Sequence, residues 1–241
     1  MLTGLYLAGN ALVVQAERQD VIAANLANAS TAGYRRTRAG VEARHSVFAQ
    51  ALADVIGETD QYQCLSTNTC LDPTAGPLTS TGNPCDLALD GPGYFCLQGE
   101  SGQVYTRDGS FRLSPDSLLV DRQGRAVLGQ QGPIRIDGER WEVGADGTVS
   151  VDGYPTATLR IVDFPAETAT LLGDGTFTAP AAATRLVAVP RVLQYQVEGS
   201  NVRPVEEMVS MITTLRTYEA AQRVIQAQDQ TLDRAVNEVG R

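Results

Sequence analysis

Apolar residues recur at seven-residue spacing near both ends of the chain, whereas the middle alternates in short runs broken by glycine, proline and aspartate. Towards the C-terminus Met208, Met211, Leu215, Tyr218, Gln222, Ile225, Asp229, Leu232, Val236 and Val239 fall alternately three and four apart. That spacing keeps one seam of a helix facing a partner. Towards the N-terminus Leu5, Leu12, Gln19 and Leu26 recur every seven, flanked by Gly9, Ala16 and Ala23, whose small side chains let another backbone come close.

Each pattern has helix boundaries. Residues 5–28 are good helix formers without proline, and the run ends in Ser30, Thr31, Ala32 and Gly33, a polar cluster with a helix-stopping glycine. The second helix is expected to begin near Ser200 or Asn201, either of which can cap it. Pro204, Glu206 and Glu207 then occupy its first turn, where a missing N–H costs nothing and negative charge meets the positive helix end. If helical over 202–239 it is about 57 Å long, more than a compact domain of this size needs.

Between the helices the period changes. Asp-Gly pairs beginning at Asp90, Asp108, Asp137, Asp146, Asp152 and Asp174 separate short apolar or alternating runs, and Asp-Gly suits a type I′ hairpin because both central residues need positive φ. Strands are expected at 86–89, 94–98, 104–106, 111–113, 119–120, 134–136, 148–151, 157–162 and 185–189. The resulting organisation is an α+β chain. An antiparallel all-β central domain (81–199) is preceded by an extended connector (34–80) with a possible short helix at 47–56. The N-terminal helix (1–33) and the C-terminal helix (200–241) form a coiled-coil core domain.

The seams imply more than one partner. Pairing of the two helices within one molecule would leave Val205, Val209, Ile212 and Val224 beside or away from the main C-terminal seam, and neighbouring molecules are the natural cover. Gln222 and Asp229 sit in the seam, where polar residues trade stability for register and choice of partner. A head-to-tail contact that does not close on itself generates a helical filament.

Composition narrows the function classes. The chain has 241 residues and a formal charge of −9, and all 19 basic residues are arginine. An acidic chain is repelled by phosphate, so neither nucleic acid nor an anionic membrane surface is an expected partner. No run approaches the ~18 apolar residues of a membrane span, and no basic leader with an apolar segment opens the chain, so membrane insertion and a cleaved secretion signal are not expected. Cys64, Cys70, Cys85 and Cys96 include no CxxC, and His45 is the single histidine, which disfavours a metal site. In an oxidising compartment Cys64 with Cys70 is the expected disulfide, since the loop between them is short.

Catalysis has no comparable support. A wall-cleaving hydrolase needs two carboxylates held across a sugar bond, and abundance of Asp and Glu says nothing of that geometry. A Ser-His-Asp site would have to use His45 without a nucleophile-elbow motif, and there is no GxxxxGK[ST] phosphate loop. No cofactor is implied. A peptidoglycan-binding adaptor with an autonomous coiled-coil stalk is the alternative from another class.

Three sets of motifs resemble the bacterial flagellar hook and basal-body rod family. They are Asn25-Leu26-Ala27-Asn28-Ala29-Ser30-Thr31-Ala32-Gly33-Tyr34-Arg35; the central Gly82-Asn83-Pro84-Cys85-Asp86-Leu87-Ala88-Leu89-Asp90-Gly91 and Tyr105-Thr106-Arg107-Asp108-Gly109-Ser110-Phe111; and Glu198-Gly199-Ser200-Asn201-Val202 with Glu206-Glu207-Met208-Val209 and Tyr218-Glu219. The resemblance implies a structural subunit of the basal-body rod that spans the periplasm. It also implies export through the flagellar type III apparatus, and a filament core of both terminal helices that contacts other rod proteins and further copies of the chain. Length and the single β region are most similar to the rod protein joining proximal to distal rod, with a distal rod or hook-type subunit as the alternative.

The expected subunit-contact residues are Leu5, Leu12, Asn25, Leu26, Asn28, Gly33, Tyr34, Asn201, Met208, Met211, Leu215, Tyr218, Ile225 and Leu232. Asn25 and Asn28 can also serve only local backbone groups, and the family context favours contact. Gly33 supplies positive φ after the helix. Arg35, Arg36 and Arg38 are expected as a solvated basic face unless an acidic neighbour reverses it. Arg107 is expected to be exposed beside an Asp108-Gly109 hairpin turn.

Overall fold

In a computed structural model the chain is described over residues 2–45, 63–100, 102–138, 140–165, 168–172, 175–180, 182–187 and 190–239. It is mixed α+β, with two long helices and antiparallel strands. Helix α1 spans Leu2–Ala27 and helix α2 spans Pro204–Val239. Pro204 opens α2, with Glu206 and Glu207 in the first turn as the pattern predicts. Arg203 precedes it and its guanidinium reaches Glu206 at 2.8 Å, while Asn201, expected as a cap, is engaged elsewhere. Among the described residues no helix is long and apolar enough to cross a membrane.

The chain divides into two compact units, and the division differs from the expected connector. The first comprises residues 1–27, 37–70 and 203–241. Here α1 packs alongside α2 and also touches the strand Thr37–His45, which pairs with the strand Gln63–Leu71. Two stretches of the expected connector, 37–45 and 63–71, are therefore a strand pair, and it lies almost wholly in the unit of the helices. The expected helix at 47–56 lies outside the described residues.

That strand pair bears on the expected disulfide. Cys64 and Cys70 lie on the one strand Gln63–Leu71. Six residues of extended chain separate their Cα atoms by about 20 Å, roughly three times the reach of a disulfide. Cys70 is an exposed free thiol. The short intervening segment is a rod rather than a loop, so this conformation excludes the Cys64–Cys70 bridge. Among the described residues no three His, Cys, Asp or Glu side chains gather as a metal site would require.

The second unit, residues 28–36 and 71–202, carries the β structure. Its largest sheet has six antiparallel strands in the order Thr170–Leu171, Phe177–Thr178, Gly102–Thr106, Tyr94–Gly99, Ile161–Asp163, Arg185–Leu186. A three-stranded meander follows as Trp141–Val143, Thr148–Val151 and Tyr154–Thr158. Two-stranded pairs tie Val192–Gln194 to Leu87–Leu89 and Gln196–Glu198 to Leu78–Ser80. The expected strand at 157–162 is two strands in different sheets, because the chain leaves the meander after Thr158 and joins the large sheet at Ile161.

Alternation along Tyr94–Gly99 builds two cores. Phe95 and Leu97 point into a large cluster with Leu87, Leu119, Val127, Ile134 and Trp141, while Tyr94 and Cys96 point into a smaller one with Tyr105, Val162, Phe164 and Phe177. The smaller core is aromatic: Tyr94 stacks on Phe164 at 4.4 Å and meets Phe177 edge-on at 5.4 Å. A sheet covered on both faces explains why four successive residues there are all buried.

The Asp-Gly pairs do not share one role. Asp152 and Gly153 have φ of 51° and 86°, the type I′ hairpin expected. Asp146 instead accepts the Thr148 N–H and hydroxyl, at 3.1 and 2.8 Å, and only Gly147 has positive φ. Asp108 accepts the Ser110 N–H at 2.9 Å in a turn that is not a hairpin loop.

Burial pushes the Cys96 thiol up to about 12. A raised folded value means that the native state holds this proton more tightly, so the associated stability is whole below pH 9 and is lost as pH rises towards 12. Under native conditions at pH 8, iodoacetamide is expected to alkylate Cys70 and spare Cys96 until the protein unfolds. Peptide mapping by mass spectrometry reads this directly, and equal labelling of the two would contradict it.

Candidate functional site

The motif residues converge in the β unit. Glu198, at the end of strand Gln196–Glu198, is buried together with Arg35 and Arg107. Its two carboxylate oxygens divide the arginines: Oε1 lies 2.9 Å from Arg35 Nη2 and Oε2 lies 3.2 Å from Arg107 Nη1. Oε1 also accepts the Gly76 N–H at 2.9 Å, and the Glu198 carbonyl accepts the Gly33 N–H at 2.8 Å. One carboxylate therefore ties together segments that stand far apart along the chain.

Two guanidinium groups against one carboxylate leave a surplus positive charge, which a buried site must disperse. Backbone carbonyls do this. Arg107 donates to the carbonyls of Leu89, at 3.2 Å, and Gly91, and Arg35 donates to that of Thr74. The Arg107 guanidinium also lies 5.6 Å from the centre of the Tyr94 ring. Burial lowers the Arg107 pKa, with Glu198 pulling it back up and Arg35 pressing it down.

These contacts correct two expectations. Arg35 is buried rather than part of a solvated face, and Arg107 is buried rather than exposed beside a hairpin. The reason is the acidic neighbour, Glu198, which lies outside any local window around either arginine. All the motifs meet here, since Leu89 and Gly91 belong to the first central motif, Arg107 to the second, Arg35 to the N-terminal one and Glu198 to the C-terminal one.

Around the cluster the other expected residues have backbone duties. Asn201 accepts the Arg36 N–H at 2.6 Å and donates to the carbonyls of Thr74, at 2.9 Å, and Asp72, at 3.3 Å. Its own N–H donates to the Tyr34 carbonyl at 3.4 Å, and the Tyr34 ring is buried. Asn28 accepts the Thr31 N–H on its carbonyl at 3.1 Å and the Thr31 hydroxyl on its side chain at 3.2 Å. In the helical unit Asn25 is buried, and its carboxamide donates to Thr37 O at 2.8 Å while accepting the Thr37 N–H at 2.9 Å. A side chain there replaces a strand neighbour.

Gly33 shows how closely the segments approach. Its φ is 66°, and an added Cβ would stand 2.2 Å from the Asp108 nitrogen. Gly33→Ala is expected to lower stability by more than about 2 kcal/mol, since backbone strain and a backbone clash combine. Urea unfolding measures it, and a loss below about 0.5 kcal/mol would show that the segment around Gly33 shifts freely.

The helical unit carries a different kind of site. Along α2 the less exposed positions are Glu207, Ser210, Met211, Thr214, Tyr218, Ala221, Ile225 and Gln228, and all but Ser210 fall alternately four and three apart. Met211, Tyr218 and Ile225 match the expected seam. Met208 and Leu215 do not: they are 51% and 39% exposed, and Gln222 and Asp229 are exposed too. The buried line is rotated by about 50° from the expected one, at about 100° per residue. Leu12 and Leu26 of α1 are half-buried, and the side chains of Leu5 and Leu232 lie outside the described residues.

What the rotation leaves in solvent is apolar. Val205, Met208, Val209, Ile212 and Leu215 cover about a third of the circumference of α2, on the side away from the buried line. Val205 is 73% exposed, Val209 60% and Ile212 51%. Scattered apolar residues on a surface mean little, but a stripe at helical spacing marks a contact site.

Comparison with known proteins supports the motif reading along the chain. Residues 5–35 match the family described as flagella basal body rod protein, residues 88–151 the flagellar hook protein FlgE/F/G D1 domain, and residues 193–238 the flagellar basal body rod FlgEFG protein C-terminal region. The flagellar basal-body rod protein FlgF of Caulobacter vibrioides is 32% identical, covering 96% of this chain and 98% of the relative. FlgF of Salmonella typhimurium is 34% identical, with 96% of each chain covered. The rod protein FlgG of Buchnera aphidicola subsp. Schizaphis graminum is 31% identical over 97% of this chain and 98% of its own. With arginine and glutamate spent on backbone architecture and an apolar helix face in solvent, the chain belongs to the bacterial flagellar basal-body rod protein family, which is structural rather than enzymatic.

Proposed function

We propose that this chain is the rod subunit joining the proximal to the distal rod, and that it polymerises through its terminal helices. The single observation that carries this reading is the exposed apolar stripe on α2, from Val205 to Leu215, on a chain whose motifs run the length of the family. In the rod, α1 and α2 pack as a coiled-coil core, and the stripe is covered by other rod proteins or copies of the chain. Length and the single β region favour the joining segment, and a distal-rod position is the second reading. The chain spans the periplasm as part of the basal body and reaches it through the flagellar type III apparatus.

In this proposal the terminal helices form the core of the rod, accompanied in their own unit by the strands 37–45 and 63–71. Asn25, Asn28, Gly33, Tyr34 and Asn201 act on contact surfaces indirectly, by fixing the segments that carry them. Cryo-electron microscopy of purified basal bodies carrying a tagged copy tests the assignment. Tag density between proximal and distal rod is expected; density along the whole distal rod would favour the second reading, and density in neither would overturn both.

A further inference from the structure

One bulky residue of the β unit holds a backbone conformation that its side chain disfavours. Tyr195 has a φ of 67°, in the left-handed region. Among the described residues the other two non-glycine cases are Ser117 and Asp152, small polar residues in tight turns. The Ser117 N–H donates to the Ser114 carbonyl at 2.9 Å, and Asp152 opens the type I′ hairpin. In the left-handed region Cβ crowds the following carbonyl, a clash that glycine avoids and asparagine tolerates.

The fold accounts for this φ. Residues Val192–Gln194 pair with Leu87–Leu89 and Gln196–Glu198 with Leu78–Ser80, so Tyr195 carries the chain from one strand pair to the other. Its N–H donates to the Asp86 carbonyl at 2.8 Å, and its carbonyl accepts the Thr81 N–H at 2.9 Å. Both flanks are fixed as well. The Gln194 carboxamide accepts the Val143 N–H at 3.0 Å and donates to the Pro84 carbonyl at 2.9 Å, and Glu198 is held by its two arginines. A backbone bound on both sides keeps its strain.

The fold does not account for the ring. Backbone groups alone make the bonds at 195, so glycine or asparagine would serve there with less strain. Tyr195 is 42% exposed, and its hydroxyl has no hydrogen-bond partner among the described residues. Strain retained at a half-exposed aromatic residue points to a contact that the side chain makes outside the chain.

The surroundings define the partner. Bonds to Thr81 and Asp86 set Tyr195 at the base of the loop 81–86, in which Thr81, Gly82, Asn83 and Pro84 are exposed. The loop is braced, because the buried Asp86 carboxylate accepts the Thr81 hydroxyl at 2.6 Å and the Asn83 carboxamide at 3.0 Å. With that carboxylate turned inward the exposed part of the loop has no charge to offer an ion, and it needs little ordering on binding. A fixed aromatic residue beside a neutral, preorganised loop suits the centre of a protein contact. We propose that Tyr195 and the loop 81–84 form a second subunit contact, on the β unit, and that its partner is a neighbouring subunit of the rod. The identity of the partner rests on the rod reading; the need for one rests on Tyr195 itself.

The isolated chain and the assembled rod give separate tests. In the isolated chain Tyr195→Asn is expected to unfold in urea, followed by Trp141 fluorescence, at a midpoint no lower than wild type. A lower midpoint would show that the ring serves the fold and would overturn the proposal. In a strain lacking this chain, Tyr195→Asn is expected to reduce the soft-agar swimming diameter about twofold or more relative to wild type. p-Benzoylphenylalanine at position 195 keeps an aromatic ring, and on irradiation of purified basal bodies it is expected to join this chain to a second rod subunit, identified by mass spectrometry. Undiminished swimming, or adducts confined to the same chain or to proteins outside the rod, would overturn the proposal. A chain present in the rod without such an adduct refutes this inference alone, whereas a chain absent from the rod refutes the rod reading and this partner together.

Discussion

Replacing Glu198 with alanine is expected to destabilise the β unit by about 3–5 kcal/mol, because two buried guanidinium groups lose the carboxylate that pairs with both. The single tryptophan, Trp141, lies in the large core of the same unit, so its fluorescence during urea unfolding reports on this unit. Glu198→Gln keeps the shape and an acceptor for the Gly76 N–H while removing the charge, and is expected to fall between wild type and alanine. Arg191→Ala is the control. Arg191 pairs with Asp90 at 2.9 Å, but both side chains are exposed, so less than about 1 kcal/mol is expected there. A Glu198→Ala loss no larger than this control would mean that the buried pairs contribute little.

The cluster also explains why local patterns misplace its members. Three arginines within four residues, at 35, 36 and 38, look like a solvated basic face, and nothing nearby contradicts that. The partner, Glu198, is supplied by strand pairing at the far end of the chain. Pairing at that separation depends on topology, which a window of ten or twenty residues does not carry. One signal was present: two motifs each held an arginine and a third held a glutamate, and a shared buried site is the simplest way to use all three. The same limit applies to the Asp-Gly pairs, where the dipeptide marks a turn but the neighbouring side chains decide its type. Asp146 spends its carboxylate on Thr148 and so makes a different turn from Asp152.

Long periodic elements were legible. The two helices, the change of period between them and most of the short strands follow from sequence, because these depend on local spacing and turn residues. The rotation of the α2 seam is more instructive. Reading for large apolar residues selects Met208 and Leu215, yet the single chain buries Glu207 and Thr214 instead. A sequence that must satisfy both a fold and a neighbour need not place its most apolar residues inside its own fold. The discrepancy separates the two demands: the buried line belongs to the subunit, and the apolar line is left over.

That separation leads to the second large effect. Ile212→Glu is expected to leave the isolated chain folded, because the side chain is 51% exposed and a carboxylate there stays hydrated; surface changes of this kind usually fall within about 0.5 kcal/mol. In an assembled rod the same carboxylate would be pressed into an apolar contact without a partner, at a cost of several kcal/mol per subunit. Every copy bears that cost, so complementation of a strain lacking this chain is expected to fail for swimming while secreted and folded protein remains detectable. Thr217→Gln, an exposed substitution about 140° farther round the same helix, is the control and should restore motility. If Ile212→Glu unfolded the isolated chain, the stripe would be part of the fold after all. If it swam normally, the face would have no neighbour, and polymerisation would have to use another surface.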